Sequence, residues 1–462
     1  MRLEQEFLKV GYFWLPGNEE RRLPGTLRIA DGGAIELEVV GLFDKSIQAL
    51  NAPPEIGRII GTIEKDGLVT LEDCFYTKRN FAFGGITKSK IHVQRVLVGA
   101  AWGKDEPVTF NSLSFTVECF DDWLGVSGIT VDSKLEKGEV DISYKRPENI
   151  NFKLNNGMEL QICFGFSSPG VPVGSEVRLT QRAGLKLISQ ELESLSVFTE
   201  LAYKITNLLC FAIDATVSLK NVVAKSSELL GDLGNGDAYQ VPIKVYYPSI
   251  PFAEEIPEKQ WFQMLFRYRQ IESNAQDVFN NWLSAYDAIA PALSLYFSTK
   301  IEAHKYLDGK FLALAQGLET YHRRTSDEKL MPQSKFESLM SELVESCPES
   351  RRKWLEGRLM YGNEISLRKR LSRIIEPFKT HLGNSQNRSR LLIMIVGTRN
   401  YLTHYDEKLR GKASQGEELW VLCQKMEAIF QLHFLKVIGF TENEIASVVE
   451  SSDSLKRKIT DI

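Results

Sequence analysis

The chain changes its structural period once, near residue 250. Residues 1–250 hold 24 of the 33 glycines, residues 251–300 hold none, and the other 9 follow. Glycine serves tight turns and weakens helix interiors, so this distribution predicts two architectures joined in one chain. A length of 462 residues also favours more than one domain. Upstream, β-type runs alternate with turn signals. Residues 25–43 read TLRIA, a DGG turn and AIELEVVGLF, residues 58–75 turn at Asp66-Gly67, and residues 150–164 turn at Asn156-Gly157. Asp-Gly and Asn-Gly between alternating apolar residues mark hairpins. The predicted fold class of this half is therefore a β-rich sandwich or barrel-like domain over residues 1–250, interrupted by an amphipathic helix at 192–214, with strands returning at 239–247.

Beyond Pro257 the apolar residues Trp261, Leu265, Tyr268 and Ile271, then Val278, Trp282, Ala285 and Ile289, recur at steps of three and four. That spacing is helical. Three capping-box patterns, Ser334 with Glu337, Ser414 with Glu417 and Thr441 with Glu444, mark helix starts. The predicted helices span 258–299, 308–325, 334–346, 364–376, 386–405, 415–437 and 442–451. They form a connecting segment at 258–300 and an all-α helical bundle at 301–455.

Several function classes drop out. The longest strictly apolar runs without glycine reach six residues, as at 391–396, far short of the roughly 18 that span a bilayer. The first residues, MRLEQE, carry acids where an export signal needs a basic start, so a cytoplasmic location is expected. Six cysteines without a C-x-x-C pair argue against a zinc ribbon or a disulfide framework. His92, His304, His322, His381 and His433 lack the spacing of a zinc site, so no metal is expected.

The segment 391–406, LLIMIVGTRNYLTHYD, turns abruptly from an apolar run into Arg399, Asn400, Thr403 and His404. At roughly 100° per residue these four share less than half of a helix circumference. Asn400 and His404 are an i, i+4 pair, in which the amide could orient the imidazole. The arrangement suits RNA cleavage without a metal. Imidazole can take the proton of a 2′-hydroxyl or return one to the 5′-oxygen, and guanidinium can hold phosphoryl oxygens. One such histidine per chain does not readily fill both roles, which points to a homodimer or higher homo-oligomer. A plainer reading makes Arg399 and His404 helix-end cations that satisfy backbone carbonyls. Glu319 could support the imidazole, or simply pair with Arg323 at i+4.

Charge is gathered beside this segment. Residues 351–400 carry twelve Lys and Arg against three acids, a net of +9 in a chain whose total is −4. Arg368, Lys369, Arg370, Arg373, Arg388 and Arg390 are the RNA-binding candidates, because a polyanion is the natural partner of such a cluster. The alternative is the solvated face of a basic helix.

Residues 397–406, with FLALAQGLETYHRR at 311–324 and RLMYGNEISLRKRL at 358–371, resemble the ApeA-type HEPN domain. The stretch VGYFWLPGNEERRLPGTLRIADGGAIELEV at 10–39 resembles the ApeA N-terminal domain that precedes this module in bacterial anti-phage proteins. The resemblance implies a sensing or regulatory β domain, an unknown phage-derived trigger, and a metal-independent, cofactor-free HEPN endoribonuclease acting in abortive infection. It implies that Arg399 stabilises the transition state, His404 transfers protons and Asn400 holds the geometry; Thr403 and Glu319 are supporting candidates by their helix positions. Two alternatives stay open: a HEPN module that only binds nucleotides or partners another enzyme, and a non-enzymatic protein whose β domain grips a protein or glycan.

Overall fold

The computed structural model describes residues 1–43, 53–80, 85–167, 175, 177–234, 236–301 and 304–460. They divide into two compact units, Met1–Leu283 and Ser284–Ile462.

The N-terminal unit begins with six strands: β1 (Phe7–Trp14), β2 (Leu23–Ile29), β3 (Ile35–Val40), β4 (Glu55–Ile63), β5 (Gly67–Asn80) and β6 (Lys88–His92). Their pairing order β1-β2-β3-β6-β5-β4 returns to β1 and closes a six-stranded barrel. Alternation along each strand fills it. In β3, Ile35, Leu37 and Val39 are buried in the barrel core, while Glu36 and Glu38 point outward to Lys90 and Lys88 of β6, each at 2.8 Å. The turns expected at Asp66-Gly67 and Asn156-Gly157 form, with Gly67 and Gly157 at φ of 77° and 85°.

The sheet continues from β5 through β7 (Arg95–Val98). The remaining strands of the unit are β8 (Thr109–Val117), β9 (Ile129–Lys134), β10 (Glu139–Tyr144), β11 (Ile150–Lys153), β12 (Glu159–Ser167), β13 (Thr180–Ser194), β14 (Leu219–Lys225), β15 (Leu230–Asp232), β16 (Ala238–Gln240) and β17 (Ile243–Tyr246). From β7 the order is β17-β14-β8-β13-β12-β11, while β9 with β10 and β15 with β16 form separate ribbons. After the short helix α1 (Phe120–Leu124), α2 (Leu195–Ile213) packs on β8 and β13. Among the described residues α2 alone is long and apolar enough to cross a membrane, yet 67% of that stretch is buried inside the protein, the mark of a core helix.

The helix expected over 258–299 is broken. A single 3-10 turn at Trp261–Gln263 is followed by extended chain, then α3 (Tyr268–Ile271) and α4 (Ala275–Ser298). The amides of Leu265 and Phe266 both donate to the Ala212 carbonyl at the end of α2, and the Trp123 indole donates to the Phe266 carbonyl at 3.0 Å. These bonds to other elements replace the helical ladder. The boundary between the units, Leu283/Ser284, falls inside α4.

The C-terminal unit is helical: α5 (Leu307–Thr325), α6 (Gln333–Ser346), α7 (Glu349–Leu359), α8 (Leu367–Ile375), α9 (Ser385–His404), α10 (Gly416–Val437), α11 (Glu442–Ser451) and α12 (Asp453–Thr460). Its centre is α10, buried almost all round from Lys425 to Leu435 and packed by α5, α9, α11 and α12. The capping box at Thr441 forms, with reciprocal bonds to Glu444. The other two do not. Pro332 precedes the first residue of α6, so Ser334 already lies within it, and the Ser414 amide donates to the Thr398 hydroxyl while Gln415 holds the N-cap position of α10 without a side-chain bond. Neither α7, which buries no side chain, nor α12 is anticipated by the periodicity.

Candidate active site

The candidate residues end α9. Asn384 caps its start by accepting from the Asn387 amide, and Tyr405 stops it in the left-handed conformation, φ 48° and ψ 33°. Leu391, Leu392, Ile395, Thr398 and Leu402 form its buried side. The apolar run is not wholly interior, because consecutive residues circle the helix and Ile393 is half exposed. The last two turns are anchored by the 3-10 segment Glu407–Lys412. A Cβ on Gly397 would stand 2.5 Å from the Lys412 carbonyl oxygen, so glycine permits the approach. Next to it the fully buried Thr398 accepts the Ser414 amide at 2.9 Å. Gly397 and Thr398 thus fix the backbone that carries Arg399; the GT pair preceding Arg399 is their only sequence signal.

Arg399 and Asn400 are half buried, whereas Thr403 and His404 are exposed. The Arg399 guanidinium donates to the Asn400 amide oxygen at 3.4 Å, and the Thr403 hydroxyl donates to the Arg399 carbonyl at 2.7 Å. Asn400 therefore contacts the arginine, while the imidazole of His404 has no hydrogen-bond partner among the described residues. The four side chains share one end of one helix, with a cation held by an amide beside an imidazole open to solvent. Glu319 accepts from Arg323 at 3.0 and 3.1 Å, the i+4 alternative that the sequence left open. No group of His, Cys, Asp or Glu able to hold a metal ion occurs among the described residues.

The six basic candidates separate. Arg370 is buried, 2% exposed, and is no surface ligand: it donates to Glu364 and, at 3.2 Å, to Nδ1 of His322. Burial, then the Arg370 charge, lower the His322 pKa below its ordinary value, which keeps that nitrogen an acceptor. Glu364 also binds Lys329 and Arg323, and Arg323 in turn holds Glu319. Arg373 makes a two-pronged pair with Glu328, at 2.9 and 3.0 Å, and Lys369 reaches the same carboxylate at 3.1 Å. Arg390 lines a space between α9 and α10 with Leu391, Met394 and Val421. Arg368, Lys369 and Arg388 face one another across a cleft between α8 and α9.

A family model described as ApeA N-terminal domain 1 matches residues 9–282, more than half of the chain. The chain belongs to the ApeA family. A second model, described as Apea-like HEPN, matches residues 312–444. The ApeA N-terminal match ends beside the boundary of the N-terminal unit, and the HEPN match contains all of α9. This ApeA N-terminal and HEPN order supports a nuclease-type anti-phage role. No curated protein and no solved structure matches the chain.

Proposed function

We propose that this ApeA-type protein is a metal-independent endoribonuclease whose HEPN domain cuts RNA in abortive infection once its β-rich domain meets a phage-derived trigger. The observation that carries this reading is the shared position of Arg399, Asn400, Thr403 and His404 on the last turns of α9, within the HEPN match. The imidazole removes the 2′-hydroxyl proton, the 2′-oxygen attacks phosphorus, and the 5′-oxygen leaves with a proton. A 2′,3′-cyclic phosphate and a 5′-hydroxyl result. Arg399 neutralises the charge that builds on the phosphoryl oxygens, and Asn400 holds its guanidinium.

An in-line displacement places base and acid on opposite sides of phosphorus. A single imidazole does not serve both sides in one step, so two copies supply two histidines around one phosphate. Ile393, half exposed, lies on the same stripe of α9 as Asn400 and His404. The test is incubation of purified protein with RNA in excess chelator, followed by end analysis. Cyclic phosphate ends that vanish with His404→Ala support the reading; intact RNA, or a strict magnesium requirement, would overturn it.

A further inference from the structure

The cleft between α8 and α9 has a volume of about 410 Å³. Its charged lining is Arg368, Lys369, Arg388 and Glu376. Glu376 is occupied by Lys379 at 2.9 Å. Arg368 has no acidic partner among the described residues, and Lys369 shares Glu328 with Arg373. The Arg388 guanidinium is fixed by the Lys379 carbonyl at 3.2 Å and by the Gly383 carbonyl. Between the cations stand the hydroxyls of Ser372, Ser385 and Ser389, which donate to no protein group among the described residues. Guanidinium, ammonium and hydroxyl donors around one hollow outnumber its single carboxylate, Glu376.

The α9 wall of this cleft is one helix arc. At roughly 100° per residue, Ser385, Arg388, Ser389, Leu392, Arg399 and Thr403 fall within about 100° of one another. The lining of the cleft on α9 ends at Leu392, and Arg399 lies farther along the same arc. Arg388 and Arg399 are eleven positions apart, about 16 Å along the axis. At roughly 3.4 Å per stacked nucleotide that is about five nucleotides of strand.

We propose that this cleft is a second phosphate subsite, which grips the sugar-phosphate backbone of the RNA about five nucleotides from the bond that is cut. The inference rests on the nuclease reading and adds a length requirement to it. A strand that reaches the cleft gains a charge-assisted contact without any preference for base, while a trinucleotide that fills only the Arg399–His404 end does not. The cleft thus selects RNA by length and backbone.

The experiment compares a trinucleotide with a long unstructured strand as substrates, and measures binding of the long strand to the protein across a salt series. The variants are Arg368→Gln combined with Lys369→Gln, and Ser389→Glu, which adds a carboxylate while removing no protein contact. Each should reduce the ratio of kcat/KM on the long strand to that on the trinucleotide by about tenfold, since about one charge-assisted contact is lost. The double variant should also flatten the slope of log affinity against log salt by about 0.7, the value for one neutralised phosphate on a single strand. An unchanged ratio and slope in both variants would overturn the subsite. Failure of the unaltered protein to cut either substrate would instead count against the nuclease reading, and the salt slope would then decide the cleft by binding alone.

Discussion

Replacing Arg370 by methionine should unfold the C-terminal unit at a lower temperature while leaving RNA binding intact. Its guanidinium is 2% exposed and bonds to Glu364 and His322, so the loss can be worked bond by bond. Methionine retains most of the volume, which keeps the cavity contribution small. Glu364 is not orphaned, because Lys329 and Arg323 still hold it. What disappears is one charge-assisted bond to that carboxylate and the donor to His322 Nδ1. Bonds to charged groups contribute about 1.5–3 kcal/mol, so the loss should be about 2–3 kcal/mol, below the 3–5 of a stranded buried charge. For a unit of this size that lowers Tm by about 4–12 °C. Arg368→Gln, on the exposed side of the same helix, should stay within about 0.5 kcal/mol. Calorimetry reads both, and NMR titration supplies a second check: removal of the neighbouring positive charge should raise the His322 pKa toward its ordinary value. An unchanged Tm with weakened RNA binding in Arg370→Met would refute the buried role.

His404→Ala should cost at least about a hundredfold in RNA cleavage, as for loss of a general acid-base group; the exposed site should hold Tm nearly constant, and normal cleavage would sink the assignment. Gly397→Ala forces a methyl group toward the Lys412 carbonyl. It should lower stability by about 1–3 kcal/mol and cleavage with it, which parallel melting and cleavage assays check. Burial pushes the Glu427 carboxyl up, but Lys300, Lys458 and Lys310 together pull it down to about 2. A folded pKa below the unfolded one means that its stabilisation is present above the ordinary carboxylate range and disappears as pH falls from about 4.5 toward 2. Glu427→Gln should cost about 3–5 kcal/mol at neutral pH and flatten that acid limb, measurable by denaturant titration at several pH values.

The hairpins are legible because their cause is local: a glycine able to take positive φ between two alternating runs sets turn and register together. Closure of the barrel has no such local cause. β6 pairs with both β3 and β5, joining Lys90 to Glu38 and to Lys78, and no turn chemistry announces pairings that distant. The segment at 261–271 illustrates a different limit. Leu265, Tyr268 and Ile271 are buried at helical spacing, but a chain that wraps around the end of α2 in short pieces presents apolar residues at the same steps. Periodicity is written by burial, which also explains why α7, burying nothing, left no trace.

The basic stretch shows how far angular position carries the reading of a site. Arg368 and Arg370 are two residues apart, hence about 200° apart on a helix, so one faces the cleft and the other enters the core. Sequence counting weighted them equally because one partner of the buried guanidinium, His322 of α5, comes beside it only when α5 and α8 lie together. Glu328, which binds Lys369 and Arg373, lies outside the basic stretch and escapes its charge count. On α9 the same geometry separates two tasks of the proposed nuclease. Arg388 lines the cleft beside α8, where a strand can be held, while Asn400, His404 and Ile393 occupy a stripe about a quarter-turn or more away, where a second copy can add its histidine. Strand grip and the second imidazole can therefore act at different phosphates of one strand, from different sides of the same helix, without competing for its surface.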